Sequence, residues 1–146
     1  METASKTTTK KPKIKLDFSD SKYATGRRKK SIAKIWVKKG TGKIYVNGRT
    51  MDDYFTSGSH KMQITRPFEI INQATDYDVR CSVAGGGHTG QAGAMVHGIS
   101  KALILFDSEF KSTLRTENLT TRDSRAVERK KPGRRKARRS FQFSKR

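Results

Sequence analysis

The chain is poor in the residues that build most enzyme sites. It holds one cysteine, Cys81, which excludes an intrachain disulfide framework and a cysteine-based zinc site. Its three histidines, His60, His88 and His97, are scattered and have no acid at ligand spacing, so no metal ligand is assigned. No Ser/His/Asp arrangement stands out, and Asp52-Asp53 reads as a solvated helix start rather than a catalytic pair. No apolar run approaches the roughly 18 residues of a membrane span. The opening METASKTTTKKPKIKLDFSDSK lacks an apolar signal core, and it carries acids and no arginine, unlike a transit peptide. There is no internal repeat, zinc finger, RNP motif or leucine zipper.

Positive charge is abundant. The 146 residues include 33 Lys and Arg against 13 Asp and Glu, a formal charge of +20. Such a balance points to nucleic acid or an anionic surface as partner, not to an ordinary soluble enzyme. The charge is partitioned: residues 1–50 carry 15 basic and 3 acidic side chains, residues 51–121 carry 6 and 8, and residues 122–146 carry 12 and 2. The chain therefore divides into a flexible extension (1–22), a near-neutral α+β body (23–121) and a basic tail (122–146). From Arg129 onward the tail has ten basic residues and no acid, and Pro132-Gly133 interrupts any helix. It cannot bury enough apolar surface to offset its own ordering entropy, so disorder is expected until it meets a polyanion.

Within the body, alternation from Ile32 to Lys39 predicts a strand whose inner face is Ala33, Ile35 and Val37, with Ile32, Lys34, Trp36 and Lys38 opposite. A turn at Lys39–Gly42 and a strand over Lys43–Val46 suggest a β-hairpin with a four-residue loop, ended by Asn47-Gly48. A short helix is expected over 51–55 with Thr50 as N-cap, then a loop at 57–59 and a helix that starts at Pro67. Tyr77–Ala84 alternates again, placing Tyr77, Val79, Cys81 and Val83 on one face. Gln91–Phe106 is the longest helix, with an apolar stripe of Ala92, Met95, Val96, Ile99, Ala102, Leu103 and Phe106. Its other side, Gly93, Ala94, His97, Gly98 and Lys101, is small or polar and open to close approach by a large partner. A further helix over 108–117, capped by Ser108, completes the set.

Gly85-Gly86-Gly87-His88-Thr89-Gly90 joins the clearest strand to the clearest helix and formally matches G-x-G-x-x-G. Three readings follow. A dinucleotide-binding enzyme would need a second parallel strand ending in an acid about twenty residues on, and the pattern after Phe106 stays helical. A helix N-terminus with small residues also offers N–H groups to a nucleic-acid phosphate. The third reading is a tight turn with no ligand.

The cluster Gly26-Arg27-Arg28-Lys29-Lys30 is a second basic arm. Phosphate contacts of this kind supply affinity and position without reading sequence. Phe141 and Phe143 interleave with the tail's charges and suit stacking in folded RNA better than duplex DNA. A free DNA- or RNA-binding module remains a further reading.

Gly26-Arg27-Arg28-Lys29, GKIYVNGR (42–49) followed by DDYF, GGGHTGQAGAMVHGISKAL (85–103) and LTTRDSRAVERKKPGRRKARRSFQFSKR (119–146) together resemble family nine of the small-subunit ribosomal proteins, in its bacterial and organellar form. The likeness covers about residues 23–146. It implies a small mixed sheet with helices, like the second domain of small-subunit ribosomal protein five, with extended basic tails. It implies a structural constituent of the small subunit that binds rRNA in the head beside neighbouring head proteins, and that sends its C-terminus to the peptidyl-tRNA site. No cofactor, small-molecule substrate or membrane is implied, and the setting is the cytoplasmic ribosome or an organellar one. Carried over by residue, the rRNA contacts are Arg27, Arg28, Lys29, Lys30, Gly86, Gly87, His88, Gln91, Arg122, Arg125, Arg129, Lys130, Lys131, Arg134, Arg135, Lys136, Arg138 and Arg139. The tRNA contacts are Ser144, Lys145 and Arg146. His88 stands where commoner members have a branched apolar residue, and residues 1–22 lie outside the likeness.

Overall fold

The computed structural model describes residues 18–73 and 75–145. The elements run β1 (Lys22–Arg28), β2 (Ser31–Lys39), β3 (Ile44–Val46), β4 (Arg49–Thr50), α1 (Met51–Tyr54), α2 (Gly58–Ile70), β5 (Tyr77–Ala84), α3 (His88–Ile104) and α4 (Phe110–Thr116). They form an α+β body on one five-stranded sheet of order β1-β2-β5-β3-β4. Every pairing is antiparallel except β3 with β5.

Strand alternation places Ala33, Ile35, Val37, Val79, Cys81 and Val83 on the inner face, and all six are buried. The stripe of α3 meets them: Ala92, Met95, Ile99, Ala102 and Leu103 are buried in the same cluster, with α2 and α4 adding Ile64, Phe68 and Leu114. Burial of each large apolar side chain of this kind stabilises the body by roughly 1.5–3 kcal/mol.

The side of α3 expected to be open is closed. Ala94 and Gly98 are buried, and a Cβ on Gly26 would stand 1.9 Å from the Ala94 carbonyl and 2.5 Å from the Gly98 nitrogen. The large partner is the chain's own strand β1. The basic cluster before β2 is therefore not a mere lead-in. Lys22–Arg28 is an edge strand in register with β2, closed by the two residues Lys29-Lys30. Apart from Tyr23 its residues are small or charged, so hydrophobicity carries no period along it.

The hairpin expected between β2 and β3 does not form. β5 inserts between them, and the 39–43 connection steps over it. Asp78 organises that crossing: its Oδ1 accepts from the Thr41 and Lys43 N–H groups, both at 2.9 Å. Burial would raise the Asp78 pKa, but these bonds, the Thr41 hydroxyl and Lys38 outweigh it and hold the carboxyl below its ordinary value. The true short hairpin is β3–β4, turned by Asn47-Gly48, both in the left-handed region.

α2 starts at Gly58, and Pro67 lies inside it rather than at a helix start. Pro67 is buried with Ile64 and Phe68, so its packing, not its N-terminal preference, decides the position. Thr50 caps α1 as expected, accepting from the Asp53 N–H at 3.3 Å. Ser108 does not cap α4; Asp107 takes the Glu109 N–H at 3.0 Å instead.

Candidate nucleic-acid interface

Three stretches far apart in sequence meet at one end of the body. The β1–β2 turn brings Lys29 and Lys30, and Lys29 takes φ 51°, a left-handed conformation that costs a non-glycine residue about 1–2 kcal/mol. The glycine loop wraps directly over this turn. Gly85 and Gly86 have φ of 72° and 62°, and a Cβ on them would stand 2.5 Å from the Lys30 carbonyl and 2.1 Å from Ser31 Oγ. Buried Ser31 donates to the Gly85 carbonyl at 3.1 Å and fixes the approach. Gly85, Gly86 and Gly90 thus serve close packing, whereas a Cβ on Gly87 would meet nothing within 4 Å. Gly87 caps α3 in an extended conformation with no side-chain cap bond, so no side chain of the cap satisfies the first N–H groups of the helix.

The third stretch is the root of the tail. α4 ends in a left-handed Asn118 (φ 56°), with the Asn118 N–H on Arg115 and the Leu119 N–H on Leu114. This turn sends the chain back across α3. The Thr120 backbone bonds the His97 ring, whose Nδ1 accepts from the Arg27 N–H at 3.3 Å. Burial, then Lys101 and Arg122, push the His97 pKa below its ordinary value despite the Thr120 bond. Asp123 lies 3.5 Å from Arg28 and 2.9 Å from Arg125. Hydrogen bonds from the Arg125 side chain and backbone, with Arg28 nearby, hold its carboxyl down to about 2. Ala126 and Val127 then join Lys29, Lys30, Ser31, Gly86, Gly87, Thr89 and Gly90 around a cleft of about 450 Å³.

The remaining candidates are placed as follows. Arg28 lies toward α3, where its Cδ would stand 2.3 Å from a Cβ on Gly93, and its Nε is buried without a hydrogen-bond partner. Exposed Arg27 alternates with buried Gly26 and so points away from α3. His88 opens α3 with its ring edge-on to Tyr54 at 5.5 Å and near Phe55 at 5.9 Å. Gln91 is engaged at both ends, accepting from the Tyr54 hydroxyl at 2.9 Å and donating to the Gly85 carbonyl at 3.1 Å. It braces the loop.

Beyond the cleft, residues 128–145 form neither helix nor strand, and from Arg129 onward nearly every described basic side chain is exposed. Glu128 pairs with Lys131 at 2.8 Å and Arg138 at 2.9 Å, Arg134 donates to the Arg138 carbonyl at 2.7 Å, and Arg135 lies 6.0 Å from the Phe141 ring. Arg129, Lys130, Lys136 and Arg139 project from the same stretch, and Phe143 is 86% exposed. Ser144 and Lys145 end the described chain; Arg146 lies outside it.

Sequence reasoning missed Ser31, Asp123, Tyr54 and the Ala126-Val127 wall. Only Asp123 carried a signal, as a rare acid within a cationic segment. The dinucleotide-enzyme reading is overturned. Among the described residues only α4 and the tail follow α3, with no parallel strand to complete a nucleotide fold, and Gly85, Gly86 and Gly90 are spent on Lys30 and Ser31. Among the described residues no three His, Cys, Asp or Glu side chains gather as a metal site, and no helix is long and apolar enough to cross a membrane.

Residues 26–146 match the family model described as ribosomal protein S9/S16. The chain belongs to this family. The small ribosomal subunit protein uS9 of Rickettsia canadensis is 51% identical over 144 residues, covering 99% of this chain and 89% of its own length. The protein of the same name from Rickettsia felis is 53% identical over 137 residues, covering 94% of this chain and 85% of its own. The chain is accordingly a structural constituent of the small ribosomal subunit and not an enzyme.

Proposed function

We propose that the protein binds small-subunit rRNA in the head through the end of the body where turn, glycine loop and tail root converge, and that its tail threads onward through the RNA. The convergence itself carries this reading. Lys29 and Lys30, the start of α3 after Gly87, and the first tail residues share one cleft. A phosphate entering there meets ammonium groups and a helix N-terminus together. Arg28, His88 and Gln91 hold that end in shape, and Arg27 flanks it. Arg122, Arg125, Arg129, Lys130, Lys131, Arg134, Arg135, Lys136, Arg138 and Arg139 neutralise backbone phosphate along the tail, which lets RNA helices approach one another.

The tip has a separate task. Ser144, Lys145 and Arg146 reach the peptidyl-site tRNA, with the two cations on phosphate. Neighbouring head proteins bound the rest of the body, and the whole acts in the cytoplasmic ribosome. Deleting residues 144–146 leaves the protein in purified small subunits and weakens tRNA binding in the peptidyl site. Unchanged tRNA affinity on such subunits would refute the role of the tip. For the cleft, Lys29→Ala/Lys30→Ala weakens binding to a small-subunit rRNA transcript in a filter assay, and equal binding by the variant would overturn the assignment.

A further inference from the structure

All four helices lie behind one face of the sheet or pack on each other, and among the described residues the opposite face of β1, β2 and β5 carries no helix. That face is chemically specific. Tyr23, Trp36, Arg80 and Tyr45 stand opposite one another across four strands. The Tyr23 and Trp36 rings are 5.2 Å apart, and the Arg80 guanidinium lies 5.5 Å from the Trp36 ring. In the next row exposed Lys34 stands between Thr25 and Ser82, and beyond it Ile32 is paired with Arg27. Tyr23 is 45% exposed and Ile32 41% exposed. The one acid on these strands, Asp78, sits at the far end with its carboxylate held by Thr41 and Lys43.

We propose that this face is a second RNA surface, separate from the cleft and tail, that takes an unpaired strand of RNA. The inference rests on the rRNA-binding reading above and adds a site to it. Flat rings interleaved with exposed cations match an unpaired strand, which offers base faces for stacking and phosphates for pairing. A duplex hides its base faces and would meet the row with backbone alone. A protein partner of this face would need acids to answer Arg27, Lys34 and Arg80, whereas RNA supplies that charge at every nucleotide.

Trp36 is the only tryptophan, so its emission reports on this face alone. The experiment titrates the full chain with a short single-stranded RNA of mixed sequence at raised salt, where ionic contacts of the tail weaken and stacking persists. Anisotropy of labelled RNA reads total binding in parallel. Saturable quenching of Trp36 is expected, with a hairpin of the same composition binding without quenching. Tyr23→Ala should raise the quenching midpoint roughly fivefold or more. Lys34→Glu, on an exposed strand position that the fold does not need, should raise it as well. RNA binding with unchanged Trp36 emission would overturn the second surface and leave the rRNA reading standing. No binding of the unpaired strand would overturn the second surface, and no binding of a small-subunit rRNA transcript at low salt would overturn the rRNA reading. Cross-linking of Lys34 to a neighbouring protein in assembled subunits, with no quenching of Trp36 by RNA on the free chain, would assign the face to a protein neighbour and overturn the proposal.

Discussion

A Cβ added to Gly98 in α3 would stand 2.6 Å from Ile35 Cδ1, and one added to Gly133 in the tail would meet nothing within 4 Å. The two glycines mark two ways of using a residue. In the body, position is fixed by packing on every side, and a single atom is felt. In the tail from Arg129 on, basic side chains stay exposed, and their ion pairs are with the tail's own Glu128. Body residues therefore set stability and geometry, and tail residues set affinity. Mutations should therefore separate stability from affinity.

The largest effect is expected from removing residues 129–146. Ten cations go with them. The dependence of rRNA affinity on salt should flatten by about 0.7 in log–log slope for each phosphate that is no longer neutralised, which at low salt amounts to orders of magnitude. The urea midpoint of the body should not move, and a shift would show that the tail belongs to the folded unit. Gly26→Val makes the opposite test. It drives a branched side chain into the α3 backbone and should destabilise by about 3 kcal/mol, measured by urea unfolding.

Lys29→Gly separates the two roles at one position. Relief of the left-handed backbone should stabilise the body by up to ~1 kcal/mol, and loss of the ammonium should weaken RNA binding. A variant that gains in both assays would contradict the placement of Lys29 at the interface.

His97 gives a pH test. Its folded pKa is lowered, so the unfolded chain takes up the proton first on acidification. Stability from this residue is complete above about 6.5 and is lost as pH falls through the lower folded value. His97→Gln should remove that part of the pH dependence of the unfolding midpoint.

The smallest effect concerns Asp123, whose carboxyl is held at about 2. Its contacts with Arg28 and Arg125 should persist on acidification below the ordinary carboxylate range and fail only as pH falls through about 2. Asp123→Asn should loosen residues 122–127 by amide relaxation without moving the unfolding midpoint.

Much of this is legible in the sequence where burial is one-sided. β2 and β5 show their inner faces as alternation, and α3 shows its stripe at helical spacing. β1 is illegible because Gly26 and Ala24 pack by smallness rather than hydrophobicity. The strand order is illegible because a hairpin pattern does not reveal that β5 will insert between β2 and β3. For the site, the basic clusters and glycine loop are visible as separate segments. Their meeting depends on Ser31, the Asn118 turn and Asp123, whose roles exist only once the chain has folded.

Cys81 lies on β5 at the middle of the sheet, in register with Ile35 on one side and Val46 on the other, and is 2% exposed. Burial pushes its thiol far up, so in the native state it is both shielded and protonated. The molecule thus carries a single latent clock. Alkylating reagent can reach that sulfur only when the central strands part, whatever the tail is doing. The rate of labelling counts openings of the sheet one by one, in the free protein or within a ribosomal particle.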